Sequence, residues 1–265
     1  MRSKSAKMQV KTLCLIWLIV WFVAANLTHT PPIDLNQVLK HPSGIFTWGT
    51  DPFGRDLLQL NLSASVTSMK LAIISTLILV PASLLIAGLT PALPLRVSSA
   101  VRRFFDFLIA FPSILLALGF QAARGSGPGT LLLAITLGAL PGLIRYLMGR
   151  SDEAWISESV FASRALGART WRIFRSQILP ELLDHLRIKL PFLISQAIIL
   201  ETTLSFLNLG IQPGDPSWGA LLAIGKDYLV EAPYLTVLVG APLFLTLLCI
   251  QSLADQSKIR NSIST

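Results

Sequence analysis

Six long apolar runs constrain this chain more than any other feature of its sequence. They cover residues 13–27, 66–89, 104–122, 131–148, 188–207 and 235–253. A run of about 20 apolar residues is long enough to cross a bilayer as a helix. A helix satisfies its own backbone hydrogen bonds in lipid, and these runs are too long to be membrane strands. The sequence therefore predicts an all-α membrane protein with six transmembrane helices.

The composition agrees with this fold class. Only 14% of the residues are charged, whereas soluble domains contain about 25%. The mean hydropathy is +0.64. The 265 residues leave room for six spans with modest loops, but for no second soluble domain. We expect a first span and outer loop in residues 1–62, a membrane core in 63–255 and a cytoplasmic tail in 256–265.

The positions of the basic residues predict the orientation. With both termini inside, 17 of the 22 Lys and Arg residues fall in inner segments. Cytoplasmic segments of membrane proteins carry such an excess, so we predict six helices with the N-terminus and C-terminus inside. The same bias explains the net charge of +8, which argues against nucleic-acid binding.

The N-terminus has two interpretations. Residues 1–12 are basic and residues 13–27 are apolar, which is also the pattern of a signal peptide. Residues 23–25 resemble a cleavage site only weakly. An uncleaved first span is favoured because the chain continues as a polytopic protein.

Several polar or helix-breaking residues lie inside the predicted spans. The prolines and glycines are Pro81, Pro112, Gly138, Pro141, Gly142 and Pro191. They suit kinked helices around a path that opens and closes, but membrane helices are enriched in both residue types anyway. Asp106 and Glu201 should face partners within the bundle. Glu201 either lines a substrate path or is a structural lock bonded to Thr202, Thr203 or a neighbouring helix.

Catalytic and metal-binding motifs are absent from the sequence. It contains no GxxxxGK[ST], HExxH, GxSxG or CxxC pattern, and Cys14 and Cys249 lie in apolar runs. No disulfide framework or metal-ligand spacing is visible. The chain is therefore not expected to be an enzyme or to bind a cofactor, and any energy source must belong to another chain.

Two polar segments are candidates for partner contact. Residues 151–183 carry four arginines and read as a helix, a stop at Gly167, an N-cap at Thr170, and a short amphipathic helix before Pro180. These arginines bind either an acidic partner or anionic lipid.

Residues 48–56 form a turn in which Asp51, Arg55 and Asp56 can pair. This turn either serves only to lead into the second span or contacts a delivery protein.

Four stretches carry a family resemblance. Residues 164–168 (RALGA) followed by 178–180 (ILP) resemble the cytoplasmic "EAA" loop of ABC-importer permeases. Residues 49–56 (GTDPFGRD), 106–113 (DFLIAFPS) and 199–219, from ILETTLSFLNLG to PSWG, resemble the second permease of dipeptide, oligopeptide and nickel importers. The resemblance extends from about residue 49 to residue 255.

This resemblance implies a type I importer permease fold in the bacterial inner membrane, with coupling helices between spans four and five. It implies a homologous permease, two ATPase subunits that hold ATP and Mg, and an extracytoplasmic binding protein as partners. The implied ATPase contacts are Glu158, Phe161, Ala162, Ser163, Arg164, Ala165, Leu166, Gly167, Ala168, Arg169, Ile178, Leu179 and Pro180. The implied binding-protein contacts are Asp51, Gly54, Arg55, Asp56, Pro216 and Trp218, in outer loops 31–62 and 209–233.

Two departures from the family pattern stand out. Phe161 occupies the place of the loop's characteristic acid and Ser163 that of its second alanine. Glu158, one helical turn earlier, is our candidate substitute for the acid. Residues 91–96 (PALPLR) replace the usual Gly/Tyr-rich turn between spans two and three.

The resemblance implies import of short peptides, with nickel complexes or another small solute as alternatives. A rival from another class is an ion-coupled secondary transporter that uses Glu201. That rival needs internal repeats, which the sequence does not show. A third interpretation is a membrane scaffold that transports nothing.

Overall fold

The computed structural model describes residues 2–125, 127–210 and 216–261, with side chains at residue 9 and from residue 11 to 252. The helices of these residues are α1 (Arg2–Leu27), α2 (Leu57–Leu89), α3 (Leu95–Ile109), α4 (Ser113–Arg124), α5 (Pro128–Trp155), α6 (Glu158–Ala165), α7 (Thr170–Ile173), α8 (Leu179–Phe206), α9 (Trp218–Asp227) and α10 (Pro233–Asn261). The described residues contain one isolated β-bridge, between Thr50 and Asp56. The predicted all-α class is confirmed.

Four helices are long and apolar enough to cross a membrane: α2, α5, the continuous helix Thr170–Phe206, and α10. The pair α3 and α4 passes the same test together, although the two helices meet at 90°. The apolar part of α1, Lys11–Leu27, is shorter. The described part of the chain is thus a multi-pass protein with four spans, or five if the bent pair counts as one.

The third predicted span, residues 104–122, is not one straight helix. It divides at Phe111 and Pro112, between α3 and α4. Proline has no backbone N–H and disfavours helical backbone at the preceding residue. The interruption expected at Pro112 is therefore a sharp corner.

The region after the fourth span also differs from the prediction. α5 continues past residue 148 to Trp155, and the chain breaks there before α6 starts at Glu158. α7 then joins α8 through a π-helical turn, Phe174–Ile178, so no separate short helix ends at Pro180. The wide turn, in which the Leu179 N–H donates to the Phe174 carbonyl, accommodates the missing N–H of Pro180. Arg169 is the residue before α7, so the N-cap predicted at Thr170 is wrong by one position.

α2, α5 and α8 pack against one another and form the core of the bundle. One apolar cluster, around Leu60, Leu131 and Trp218, lies at the end that carries residues 28–56, which we call the loop end. The second, around Leu147 and Phe174, lies at the end that carries α6, which we call the α6 end. At 33 residues, α2 is about 50 Å long and connects the two clusters.

Candidate partner-binding surface and intramembrane polar site

Gly167 ends α6 and creates a tight turn before α7. Its φ is +80°, a backbone conformation that favours glycine. The N–H of Ala168 donates to the Ser163 carbonyl at 3.0 Å, and the N–H of Gly167 donates to the Arg164 carbonyl at 2.9 Å. These two bonds form a Schellman motif. The helix stop predicted at Gly167 is confirmed.

One side of α6 is anchored to the bundle. The Val160 side chain is buried, and the Arg164 guanidinium lies over the Trp155 ring at 5.1 Å from its centroid. The Gln177 amide donates to the Ser163 hydroxyl at 2.6 Å, which joins α6 to the π-helical turn. α6 is therefore held at a fixed position even though it contains only 8 residues.

The other side of this segment is open. Phe161 is 77% exposed and Leu166 is 89% exposed, with Glu158 and Arg169 also exposed. Ile178 differs, because it is fully buried under the segment and belongs to the core rather than to a contact surface. Large apolar side chains this exposed, on a well-anchored helix, are typical of a protein-contact site.

The sequence did not indicate how this segment connects to α2. The carbonyl of Gly88 accepts hydrogen bonds from Trp155 Nε1 at 2.8 Å and from the Ser151 hydroxyl at 3.3 Å. A Cβ at Gly88 would lie 2.5 Å from Cε2 of Phe174 and 3.3 Å from Cδ1 of Leu182. Only a glycine lets α2 approach the π-helical turn this closely. Gly88 stands in a plain apolar run, so no local pattern marks it.

The turn at residues 49–56 is a rigid structural unit. Asp51 is buried, accepts hydrogen bonds from the N–H groups of Phe53 and Arg55, and forms an ion pair with Arg55 at 2.7 Å. Gly54 has φ +71°, and a Cβ there would clash with the Asp34 carbonyl. The predicted Asp51–Arg55 pair is confirmed, whereas Asp56 instead caps α2 by accepting from the Gln59 N–H at 3.0 Å.

Trp218 and Pro216 are buried, with Trp218 fully so. Trp218 Nε1 donates to Asn61 Oδ1 at 2.8 Å, and the Asn61 amide donates to the Leu238 carbonyl at 2.9 Å. The Trp218 N–H lies 3.2 Å from the Ser68 hydroxyl oxygen. Both side chains are enclosed by the core in this structure, and their contact with a binding protein stays a prediction. The motif looked like a polar loop, but its aromatic ring packs into the core between helices.

Glu201 lies beside this tryptophan and is fully buried. The Ser205 hydroxyl donates to Oε1 at 2.7 Å, and the hydroxyls of Ser68 and Ser217 lie near the carboxyl group. Among the described residues, Oε2 of Glu201 and the Thr202 hydroxyl have no hydrogen-bond partner. The Thr203 hydroxyl instead donates to the Ile199 carbonyl, so it is not a partner of Glu201. Helices α2, α8 and the start of α9 thus meet at one polar cluster, which favours a structural lock over an open substrate path.

Asp106 is half exposed rather than deeply buried. Its Oδ1 lies 3.2 Å from Nε of Arg145, so the charge has the partner that we expected, on α5. A second pair joins the same helices, where Arg102 donates both terminal nitrogens to Asp152 at 2.7 Å. An Arg–carboxylate pair with two parallel hydrogen bonds holds the two side chains in one relative orientation.

A cavity of about 320 Å³ lies at the corner between α3 and α4. α5 and α8 complete its walls, and four of the helix-breaking residues singled out in the sequence line it: Pro112, Gly138, Pro141 and Gly142. A Cβ at Gly138 would lie 2.9 Å from the Ser113 carbonyl, so this glycine lets the start of α4 approach α5.

A family model for the binding-protein-dependent transport system inner membrane component matches residues 80–259. The di/tripeptide transport system permease protein DppC of Pseudomonas aeruginosa is 31% identical over 255 residues, which cover 91% of this chain and 83% of that protein. The glutathione transport system permease protein GsiD of Pectobacterium atrosepticum is 31% identical, covering 84% of this chain and 74% of that protein.

One of the solved structures with a similar fold is the MetNI methionine ABC transporter in an inward-facing conformation, with a TM-score of 0.59 and 19% identity. The match covers 76% of this chain and 95% of that chain.

Proposed function

The chain belongs to the family of binding-protein-dependent transport system inner membrane components, and on that premise we propose that it carries short peptides across a bacterial inner membrane. The family consists of the membrane permeases of ABC importers, in which separate subunits hydrolyse ATP. This chain is therefore a transport subunit and not an enzyme. Relatives named for di/tripeptide and glutathione transport support the peptide substrate.

The topology of the proposal has six transmembrane helices with both termini cytoplasmic. α1 and the bent α3–α4 pair would join the four long apolar helices to make up the six. The excess of Lys and Arg in the inner segments supports this orientation. The family match lies largely in the proposed permease core, residues 63–255.

Three kinds of protein partner complete the proposed complex. A homologous permease would form the path together with this chain, and two ATPase subunits holding ATP and Mg would dock on α6. An extracytoplasmic binding protein would deliver substrate to the loop end. Phe53 is exposed there and Asp56 is partly exposed, whereas Asp51, Gly54, Pro216 and Trp218 are buried.

The observation that carries the proposal is the anchored α6 with its exposed face of Phe161 and Leu166. Closure of the ATPase subunits would push this face. The bonds from Trp155 and Ser151 to Gly88, and the packing of Phe174 on Gly88, would pass the displacement to α2. The bundle would then switch between two packed arrangements, one open to each side of the membrane, and this switch would give alternating access. Glu158, exposed on the first turn of α6, would supply the acidic contact that Phe161 lacks.

Purification of the tagged chain from its native membrane tests the proposal. We expect the ATPase subunits and a second permease to co-purify, and we expect deletion of the chain to abolish uptake of peptides in the presence of the binding protein. A secondary transporter would purify without ATPase subunits. A non-transporting scaffold would leave peptide uptake intact after the deletion.

A further inference from the structure

The cavity at the α3–α4 corner is lined mainly by apolar side chains, with a few polar groups among them. Lys189, Gln196 and Ser113 are polar residues of its wall. Gly142 also lines it, and a Cβ at that position would meet no atom within 4 Å. Pockets for small molecules have this character, with apolar walls and a few convergent polar groups, and they start at volumes of about 300 Å³. The cavity is therefore large enough for part of a small solute.

Lys189 is the charged group of this cavity. Its Nζ lies 3.7 Å from the centroid of the Tyr146 ring, so a cation–π contact fixes the position of the ammonium. Within residues 11–125, 127–210 and 216–252 it forms no ion pair. Asp106, a carboxylate on the neighbouring α3, is already paired with Arg145.

An unpaired ammonium in a membrane-spanning helix is costly, and such residues face a partner or a functional cavity. A lysine ammonium has three N–H donors and no acceptor. An anion that enters the cavity would therefore supply the charge partner that the described residues do not give Lys189.

We propose that this cavity binds the carboxylate of the transported peptide, with Lys189 as the residue that receives it. The inference rests on the proposed peptide substrate. Every unmodified peptide ends in a carboxylate, and its side chains are accommodated by the apolar walls. Gln196 and Ser113 supply further hydrogen-bonding groups to the peptide backbone.

Peptide uptake by the reconstituted complex, with its binding protein, tests the site. The probe is a mixed pool of tripeptides with free C-termini, quantified by mass spectrometry. The vesicles contain phosphatidylcholine and phosphatidylethanolamine, so no anionic headgroup competes for Lys189. We expect Lys189→Gln to lower uptake by roughly tenfold to a hundredfold, the range for loss of a hydrogen bond to a charged group. Lys189→Arg should retain most of the activity, and Arg187→Gln, on the same helix but outside the cavity wall, is the control that should retain all of it.

A chemical rescue separates charge from packing. In a Cys14→Ser, Cys249→Ala background, Lys189→Cys carries either an aminoethyl or a sulfonatoethyl disulfide adduct. We expect the cationic adduct to restore uptake and the anionic adduct to leave it blocked. Equal uptake with both adducts, or full uptake by Lys189→Gln, would overturn the carboxylate site. Basal ATPase activity identifies variants that have failed to assemble.

Occlusion of the cavity gives an independent check. Gly142→Val places a side chain in the open space, and Gly149→Val is its matched control on the same helix, since a Cβ there also meets no atom within 4 Å. Only Gly142→Val should block uptake, and equal effects of the two would overturn the location of the site. Failure of the unsubstituted complex to import any tripeptide would instead refute the peptide proposal itself, before any variant is compared.

Discussion

The contact between Gly88 and Phe174 provides the sharpest prediction about how α6 is coupled to α2. Replacing Gly88 with alanine puts a Cβ 2.5 Å from Cε2 of Phe174 and 3.3 Å from Cδ1 of Leu182. Atoms essentially never approach as closely as the first of these distances. Phe174 is only 1% exposed, so its ring has no open space into which to move.

The expected cost of Gly88→Ala follows from this geometry. Forcing a methyl group into a well-packed site costs about 1–3 kcal/mol. Separation of α2 from the π-helical turn would relieve the clash, but it would also stretch the bonds from Trp155 and Ser151 to the Gly88 carbonyl. We therefore expect weaker coupling between α6 and α2, with fewer peptides imported for each ATP hydrolysed.

The assay measures uptake and ATP hydrolysis together in vesicles, alongside the thermal unfolding of the purified complex. Gly149→Ala is the matched control, since a Cβ there meets nothing within 4 Å. Phe174→Leu in the Gly88→Ala background removes the ring edge and should recover part of the lost coupling, as expected for contacting residues. An unchanged transport ratio and melting temperature in Gly88→Ala would refute the proposed connection.

Three further predictions concern the α6 face and the buried tryptophan. Phe161→Ala should reduce co-purification of the ATPase subunits without lowering the melting temperature, because the side chain is exposed; undiminished co-purification would contradict its contact role. Glu158→Ala should lower transport-coupled ATPase activity, and unchanged coupling would refute its role as the substitute acid. Trp218→Phe should destabilise the complex by about 1–3 kcal/mol, measured by thermal unfolding, because Asn61 Oδ1 loses its buried donor; an unchanged melting temperature would count against the polar cluster as a structural lock.

The sequence predicted those features that depend on local physics. Gly167 was expected to stop a helix because glycine adopts a positive φ at low cost, and the structure shows it at +80°. Asp51 and Arg55 are four residues apart in the same tight turn, and their side chains form an ion pair. Four of the six long apolar runs coincide with helices long and apolar enough to span a bilayer, and a fifth, residues 104–122, with the bent α3–α4 pair.

Features that depend on distant partners could not be predicted in this way. α5 continues through Asp152 because Arg102 on α3 pairs with it, whereas the local sequence looks like a polar loop. Trp218 is buried because Asn61, far away in the chain, accepts its N–H. The sharp corner at Pro112 was expected as an interruption, but its 90° angle is set by the packing of α4 against Gly138.

The unbroken helix Thr170–Phe206 has a thermodynamic consequence for regulation. Its 37 residues extend about 55 Å, and one polypeptide element contains both the π-helical turn below α6 and Glu201 beside the buried tryptophan. If the arrangement of this element biases binding at both ends, linkage requires reciprocity between the two equilibria. In the proposed complex, the factor by which ATP changes the affinity for the loaded binding protein would equal the factor by which that protein changes the affinity for ATP. Measuring either factor would therefore give the other without a second experiment.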